Sequence, residues 1–297
     1  MPENWELVLE IKNMSFKCHF CTSCKGNGCR GEMPGMGGVD DSSNFILNCK
    51  DWSYIRKDSF TDSKINIDIR LAPITGAVEN IGYPDEKQFY FDLMASVYNQ
   101  GYKLSIGDGT PDFKLQYGIE AVQSLAEKDS SVKAAVFIKP YSNFKIMERM
   151  EQSSVIAELA GIDIDSYNII TMRSLVQLEK KTPSQLKEIK DFLNKKGLPF
   201  ALKGIFTKED ISICQEVKPD IIYISNHGGR VDTVKGSTAS FLKQHYNTLK
   251  DYCDKLWIDG GIRSRSDILT AQSYGIDTVL LGRPFITALC QKETLKL

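Results

Sequence analysis

The stretch Ser225-Asn226-His227-Gly228-Gly229-Arg230 sets an imidazole, two glycines and a guanidinium directly behind an apolar run. An imidazole titrates near neutral pH and suits the work of a general base. An arginine three residues further on can grip a carboxylate through two parallel hydrogen bonds. A histidine by itself is more often structural, and His19 and His245 are read that way; His227 differs by its setting. Two later segments, Asp259-Gly260-Gly261-Ile262-Arg263 and Gly282-Arg283-Pro284, also close apolar runs with glycine and arginine. Glycines let backbone N–H groups approach an anion, and arginines and helix N-termini add positive charge, which reads as a phosphate site. The plainer reading is that Gly260, Gly261 and Gly282 form tight turns.

Near the N-terminus, Cys18, Cys21, Cys24 and Cys29 follow the pattern C-x2-C-x2-C-x4-C. Thiolates this dense suit an iron–sulfur cluster or zinc. Redox-active thiols and structural thiols or disulfides are the competing readings. The run is similar to that of ferredoxins, with one additional residue before the fourth cysteine and no proline after it. Cys49, Cys214, Cys253 and Cys290 read as small buried hydrophobes.

These groups need a scaffold, and the rest of the sequence supplies one. Eight apolar runs read as strands: 67–75, 102–107, 134–140, 161–165, 199–204, 221–227, 256–261 and 278–283. Each is nearly continuous rather than alternating, as parallel strands buried on both faces require. Helical periodicity fills the gaps, for example over 88–99, 184–194 and 264–274, the last opening with a Ser-x-x-Asp cap. Eight strand–helix units predict an α/β (β/α)8 TIM barrel over 64–297, whose chemistry projects from the C-terminal strand ends. Residues 1–63, rich in Cys, Gly, Asn, Asp and Ser, read as an irregular Cys-rich extension.

Composition bounds the function. With 42% hydrophobic residues the chain of 297 can bury a large core, and a net charge of -1 gives no sign of a nucleic-acid partner. No run approaches the roughly 18 apolar residues of a membrane span. The first residues lack the make-up of a secretory signal, so the expected compartment is the cytoplasm.

The strand-end motifs, together with Leu202-Lys203-Gly204 and Leu71-Ala72-Pro73, resemble those of the FMN-dependent 2-hydroxy acid dehydrogenases and oxidases. That family includes glycolate oxidase, lactate oxidase and flavocytochrome b2. The likeness runs over about residues 64–293 and is sharper in the second half. It implies FMN as cofactor and a small 2-hydroxy acid as substrate. On this resemblance His227 takes the hydroxyl proton while hydride passes to flavin N5, and Arg230 binds the substrate carboxylate. Lys203 stabilises charge on the reduced ring, and Asp165 supports the protonated His227. Ala72, Pro73 and Ser105 lie against the flavin, while Asp259, Gly260, Gly261, Arg263, Gly282 and Arg283 hold its phosphate end.

The sequence departs from the family pattern in places. Lys139 stands where a glutamine is usual; it either raises the flavin potential or pairs with Asp163, itself in a usual threonine position. Arg173 is the candidate for a second substrate arginine, against a surface salt bridge. Tyr141 is a substrate-side candidate, against a packing role. Expected partners are the small 2-hydroxy acid, a redox partner protein that takes electrons onward, and further copies of this chain in a homo-oligomer. Two other readings compete: an FMN-dependent isomerase of the type 2 isopentenyl diphosphate isomerase kind, and a non-catalytic flavin or redox sensor.

Overall fold

The eight apolar runs form eight parallel strands, interleaved with helices. A computed structural model describes residues 43–56, 60, 63–78, 83–169, 172, 175–231 and 233–297. The strands are β1 (Asp68–Leu71), β2 (Leu104–Gly107), β3 (Ala134–Ile138), β4 (Ala157–Asp163), β5 (Phe200–Ile205), β6 (Ile221–Ile224), β7 (Lys255–Ile258) and β8 (Thr278–Leu281). They pair in the order β1-β8-β7-β6-β5-β4-β3-β2. The ring closes between the end members: Arg70 bridges to Lys103, and the Leu71 amide donates to the Lys103 carbonyl at 2.9 Å. This is the α/β TIM barrel expected from the sequence.

Alternate residues of each strand separate into two layers of core. Ala135, Phe137, Ala201, Tyr223, Trp257 and Leu280 fill the barrel. Val136, Ile138, Leu202, Ile222 and Ile258 face the helices. Both faces are dry, which is why the runs are continuously apolar instead of alternating. Around the strands lie α1 (Ser43–Ile55), α2 (Glu86–Asn99), α3 (Phe113–Ala126), α4 (Asn143–Ser153), α5 (Pro183–Asn194), α6 (Lys208–Val217), α7 (Thr238–Lys250), α8 (Arg265–Ser273) and α9 (Arg283–Gln291). The Ser264 cap is present as a reciprocal box: the Asp267 amide donates to Ser264 Oγ at 3.2 Å, and the Ser264 amide to Asp267 Oδ2 at 2.9 Å.

Three expectations are corrected. Six strands stop short of the predicted C-terminal limits, β1 at Leu71, β3 at Ile138, β4 at Asp163, β6 at Ile224, β7 at Ile258 and β8 at Leu281, whereas β2 ends as predicted and β5 runs one residue further. The residues beyond them leave the ladder as connecting loops, several with glycine at positive φ. The fourth strand starts earlier, at Ala157, and Asp165 lies past its end on a 3-10 turn, Ile164–Asn168. The extension is also not irregular throughout, because residues 43–55 form a helix. Asn44, Asn48, Trp52 and Ile55 fall on its buried face, and burying Phe45, Trp52 and Ile55 contributes about 2 kcal/mol each.

Candidate active site

Lys203 is aimed by a defect in its strand. The register between β5 and β6 shifts between Lys203 and Ile205, which bulges the chain at Gly204. Gly204 has φ +98, and a Cβ there would stand 2.6 Å from that of Asp165. Glycine is therefore required both for the backbone angle and for the turn packed against it. The bulge leaves the Lys203 side chain inside the mouth of the barrel, its Nζ 2.6 Å from Asp163 Oδ1 and 3.6 Å from Asp165 Oδ1.

His227 completes the cluster from the loop after β6. Its backbone adopts φ +56, a strained angle for a residue with a side chain, followed by Gly228 and Gly229 at positive φ. Its Nδ1 lies 3.2 Å from Asp165 Oδ1 and 3.6 Å from Asp163 Oδ2. Burial, and then the Lys203 charge, hold the His227 pKa down to about 3. Burial and the neighbouring Asp163 charge push the Asp165 carboxyl well above the usual carboxylate range. Burial works against the Asp163 charge as well, but Lys203 and His227 overcome it and hold that group below its ordinary value. Burial disfavours the Lys203 cation, and Asp163 and Asp165 more than restore it, so its pKa is raised. Asp163, Asp165 and His227 offer atoms within 4.8 Å of one another, a spacing that could hold a metal. The Lys203 ammonium already stands against these carboxylates, in the place a cation would take.

Beside this cluster a cleft of about 170 Å³ opens at the C-terminal strand ends, lined by Ala72, Pro73, Lys203, His227, Arg230, the 259–263 loop, Gly282 and Arg283. A larger hollow of about 610 Å³ over the loops after β4, β5 and β6 contains neither Lys203 nor His227. Asp259 accepts from the hydroxyls of Tyr223 (2.6 Å) and Ser225 (3.1 Å). Helix α1 forms one wall. Asn48 Nδ2 donates to Asn226 Oδ1 (2.8 Å), Trp52 Nε1 donates to the Gly260 carbonyl (2.8 Å), and the Arg283 guanidinium stacks 4.3 Å over the Phe45 ring.

The glycines divide between the two sequence readings. A Cβ on Gly229 would stand 2.4 Å from the Phe45 amide nitrogen, and one on Gly260 would stand 2.5 Å from Thr238 Oγ1, so both serve close packing. At Gly282 the nearest atom to such a Cβ is Ile74 Cδ1 at 3.6 Å, which leaves room towards the cleft. The residues present fit a flavin phosphate ester. Lys203, Arg230, Arg263 and Arg283 bring four cations to one cleft. Ser105, two residues past the Arg70–Lys103 bridge and so level with Ala72, has a buried Oγ with no hydrogen-bond partner. A polar ring seated there would satisfy it.

Several predicted residues lie elsewhere. Lys139 does not pair with Asp163 and does not line the cleft; it is buried against Asp108 at 3.1 Å, with Arg149 on the other carboxylate oxygen at 2.8 Å. That ion cluster satisfies a charge the barrel wall could not otherwise bury. Tyr141 lies beneath Lys145 and Arg149, each 4.6 Å from its ring, in a packing role. Arg173 and the four clustered cysteines lie outside the described residues. Sequence reasoning missed α1, although Asn44, Asn48, Trp52 and Ile55 recur at helical spacing and signal one buried face.

A profile of the FMN-dependent dehydrogenase family matches residues 122–294. A peroxisomal (S)-2-hydroxyacid oxidase of Arabidopsis thaliana is 37% identical over 95 residues, 32% of this chain and 26% of that protein. The 2-hydroxyacid oxidase 2 of Rattus norvegicus is 38% identical over 96 residues, covering 32% and 27%. An L-lactate dehydrogenase (cytochrome) of Saccharomyces cerevisiae is 36% identical over 109 residues, covering 34% and 18%. The matched region thus spans about a quarter or less of these relatives. A crystal structure of mandelate oxidase with (S)-2-phenylpropionate superposes with a TM-score of 0.64 at 17% identity, over 98% of this chain and 87% of the other.

Proposed function

The chain belongs to the FMN-dependent dehydrogenase family, and from that premise we propose that it oxidises a small 2-hydroxy acid to the 2-oxo acid. The observation that carries this reading is His227 Nδ1 held 3.2 Å from Asp165, on the rim of a cleft lined by Lys203, Arg230, Arg263 and Arg283. FMN, when bound, supplies the acceptor for the hydride.

The protein's own residues divide the remaining work. With Nδ1 turned to the two carboxyl groups, Nε2 is the nitrogen of His227 left to take the hydroxyl proton. The low His227 pKa keeps that nitrogen unprotonated at neutral pH. Arg230, three residues on and in the same cleft, binds the carboxylate and so fixes which hydroxyl meets the base. Lys203 stands ready for negative charge that develops on the ring. Arg263, Arg283 and the open backbone at Gly282 would hold the phosphate, with Ala72, Pro73 and Ser105 against the ring and Asp259, Gly260 and Gly261 shaping the loop. The Arg230 side chain and the hydroxy-acid-type relatives favour this over the isomerase and sensor readings.

The rest of the proposal comes from the sequence: a division at residue 63, a homo-oligomer, a redox partner protein, the cytoplasm, and an iron–sulfur cluster or zinc on Cys18, Cys21, Cys24 and Cys29. Among the described residues no helix is long and apolar enough to cross a membrane; the relatives named above include a peroxisomal enzyme. Anaerobic mixing of the FMN-loaded protein with a panel of 2-hydroxy acids tests the function. Bleaching of the flavin band by at least one of them is expected, and a flavin that none reduces would sink the reading.

A further inference from the structure

Asp163 and Asp165 crowd one lysine. Asp163 ends β4 and Asp165 follows two residues later on the 3-10 turn, so both carboxyl groups project onto Lys203, at 2.6 and 3.6 Å, and onto His227, at 3.6 and 3.2 Å. Both are buried. Asp165 Oδ2 is buried with no donor to satisfy it, a costly place for a bare carboxylate oxygen. A carboxylate oxygen of each lies within 4.8 Å of the other, and because a carboxylate cannot donate, a hydrogen bond between the two requires a proton. Other charges stand around the cluster. Arg230 and Lys139 act on His227 from the loop after β6 and from β3. Asp259, from the loop after β7, adds a third carboxyl facing Lys203.

We propose that Asp163 and Asp165 hold one proton between them and act together as a single monoanionic counter-ion to Lys203. The directions of titration agree, with the Asp163 carboxyl held below its ordinary value and the Asp165 carboxyl raised well above its own. Lys203 at +1, the pair at -1 and a neutral His227 make this inner cluster neutral. Asp163 is then a positioning residue: it acts through Lys203, and weakens the positive field that the lysine offers to an anion in the cleft. Either carboxyl by itself can carry the single charge, so removing one leaves the charge beside Lys203 nearly unchanged, while removing both leaves only Asp259 facing the lysine. The part concerning flavin rests on the proposed function; the shared proton does not.

The test has two arms. In infrared difference spectra at neutral pH, Asp163→Asn and Asp165→Asn should each abolish one protonated-carboxyl band of the wild-type protein. A band that survives in Asp163→Asn, or wild-type spectra that show no band lost in Asp165→Asn, overturns the shared proton. The second arm is sulfite binding to the FMN-loaded protein. Sulfite forms an S–N5 bond from its lone pair, and the displaced electron pair rests at N1 and the C2 carbonyl of the ring. Each single variant should bind sulfite within about twofold of wild type, whereas the double variant Asp163→Asn/Asp165→Asn should bind at least about tenfold tighter, a coupling of about 1.4 kcal/mol. Additive effects of the two single changes overturn the counter-ion role. If the double variant does not fold, the infrared arm on wild type and single variants decides. If the wild-type protein takes up no FMN, the proposed function fails while the infrared arm still stands.

Discussion

The carbonyl oxygen of Asn48 occupies the space that a side chain on Gly261 would need: a Cβ there would stand 1.9 Å from it. The loop after β7 and the helix before β1, more than two hundred residues apart in sequence, therefore touch backbone to backbone. Asn48 also meets Asn226 and the Thr238 amide, at 2.8 and 3.0 Å, so one residue ties together the loops after β6 and β7.

Gly261→Ala follows from that contact. The residue has φ +74, so alanine brings backbone strain as well as a collision that α1 can relieve only by moving away. Urea denaturation should show a loss of at least about 2 kcal/mol, and FMN titration a weaker site. An alanine variant of unchanged stability and FMN affinity would show that α1 does not dock as described.

His227→Ala should leave FMN bound and slow flavin reduction by about 10²- to 10⁴-fold, the range for loss of a general base. Rapid-mixing absorbance of the flavin band measures it. Retained reduction at the wild-type rate would remove the base from the scheme.

Arg230→Lys keeps the charge and loses the two-pronged grip. Saturation should then need about 10- to 100-fold more hydroxy acid, as expected for a lost charged hydrogen bond of about 1.5–3 kcal/mol. Steady-state kinetics over a substrate series read this directly, and an unchanged KM argues that Arg230 does not hold the carboxylate.

The titration of His227 makes two predictions of stated sign. Its folded pKa of about 3 lies below the ordinary histidine value of about 6.5. The base is thus ready at neutral pH, and the acid limb of kcat/KM should fall well below 6.5. Between these values the unfolded chain binds the proton and the folded one does not, so His227 costs stability increasingly as pH falls through that window. His227→Asn should therefore gain stability relative to wild type as the pH is lowered from neutral. A stability difference that does not vary with pH would contradict the depressed pKa.

The cysteine run makes a prediction about metal. Protein purified without air should carry iron, with broad absorbance beyond the flavin bands, or zinc, and serine at Cys18 and Cys21 should remove it. A yellow preparation free of both metals eliminates the cluster and leaves the thiol readings.

Much of this protein can be read in one dimension because the relevant signals are local. Eight apolar runs at regular spacing dictate parallel strands buried on both faces, and a Ser-x-x-Asp start dictates a capped helix, since both depend on neighbours within a few residues. The chemistry at the strand ends is visible for the same reason: His227 and Arg230, or Gly282 and Arg283, are near each other in the chain before it folds. Charge pairing is a different matter. Lys203 meets a carboxylate 40 residues away, His227 one 62 residues away, and Lys139 takes Asp108 instead of Asp163. Which ions pair depends on which strands are neighbours and on a one-residue bulge at Gly204, and only the closed barrel sets these. The docking of α1 likewise needed the tertiary structure, because its face has no partner until the loops after β6 and β7 are in place. The sequence specified many of the groups that reach the mouth of the barrel, though Lys139, expected among them, is held by Asp108 instead; the fold decided which charges cancel there, because a buried charge must find its counter-ion in space rather than along the chain.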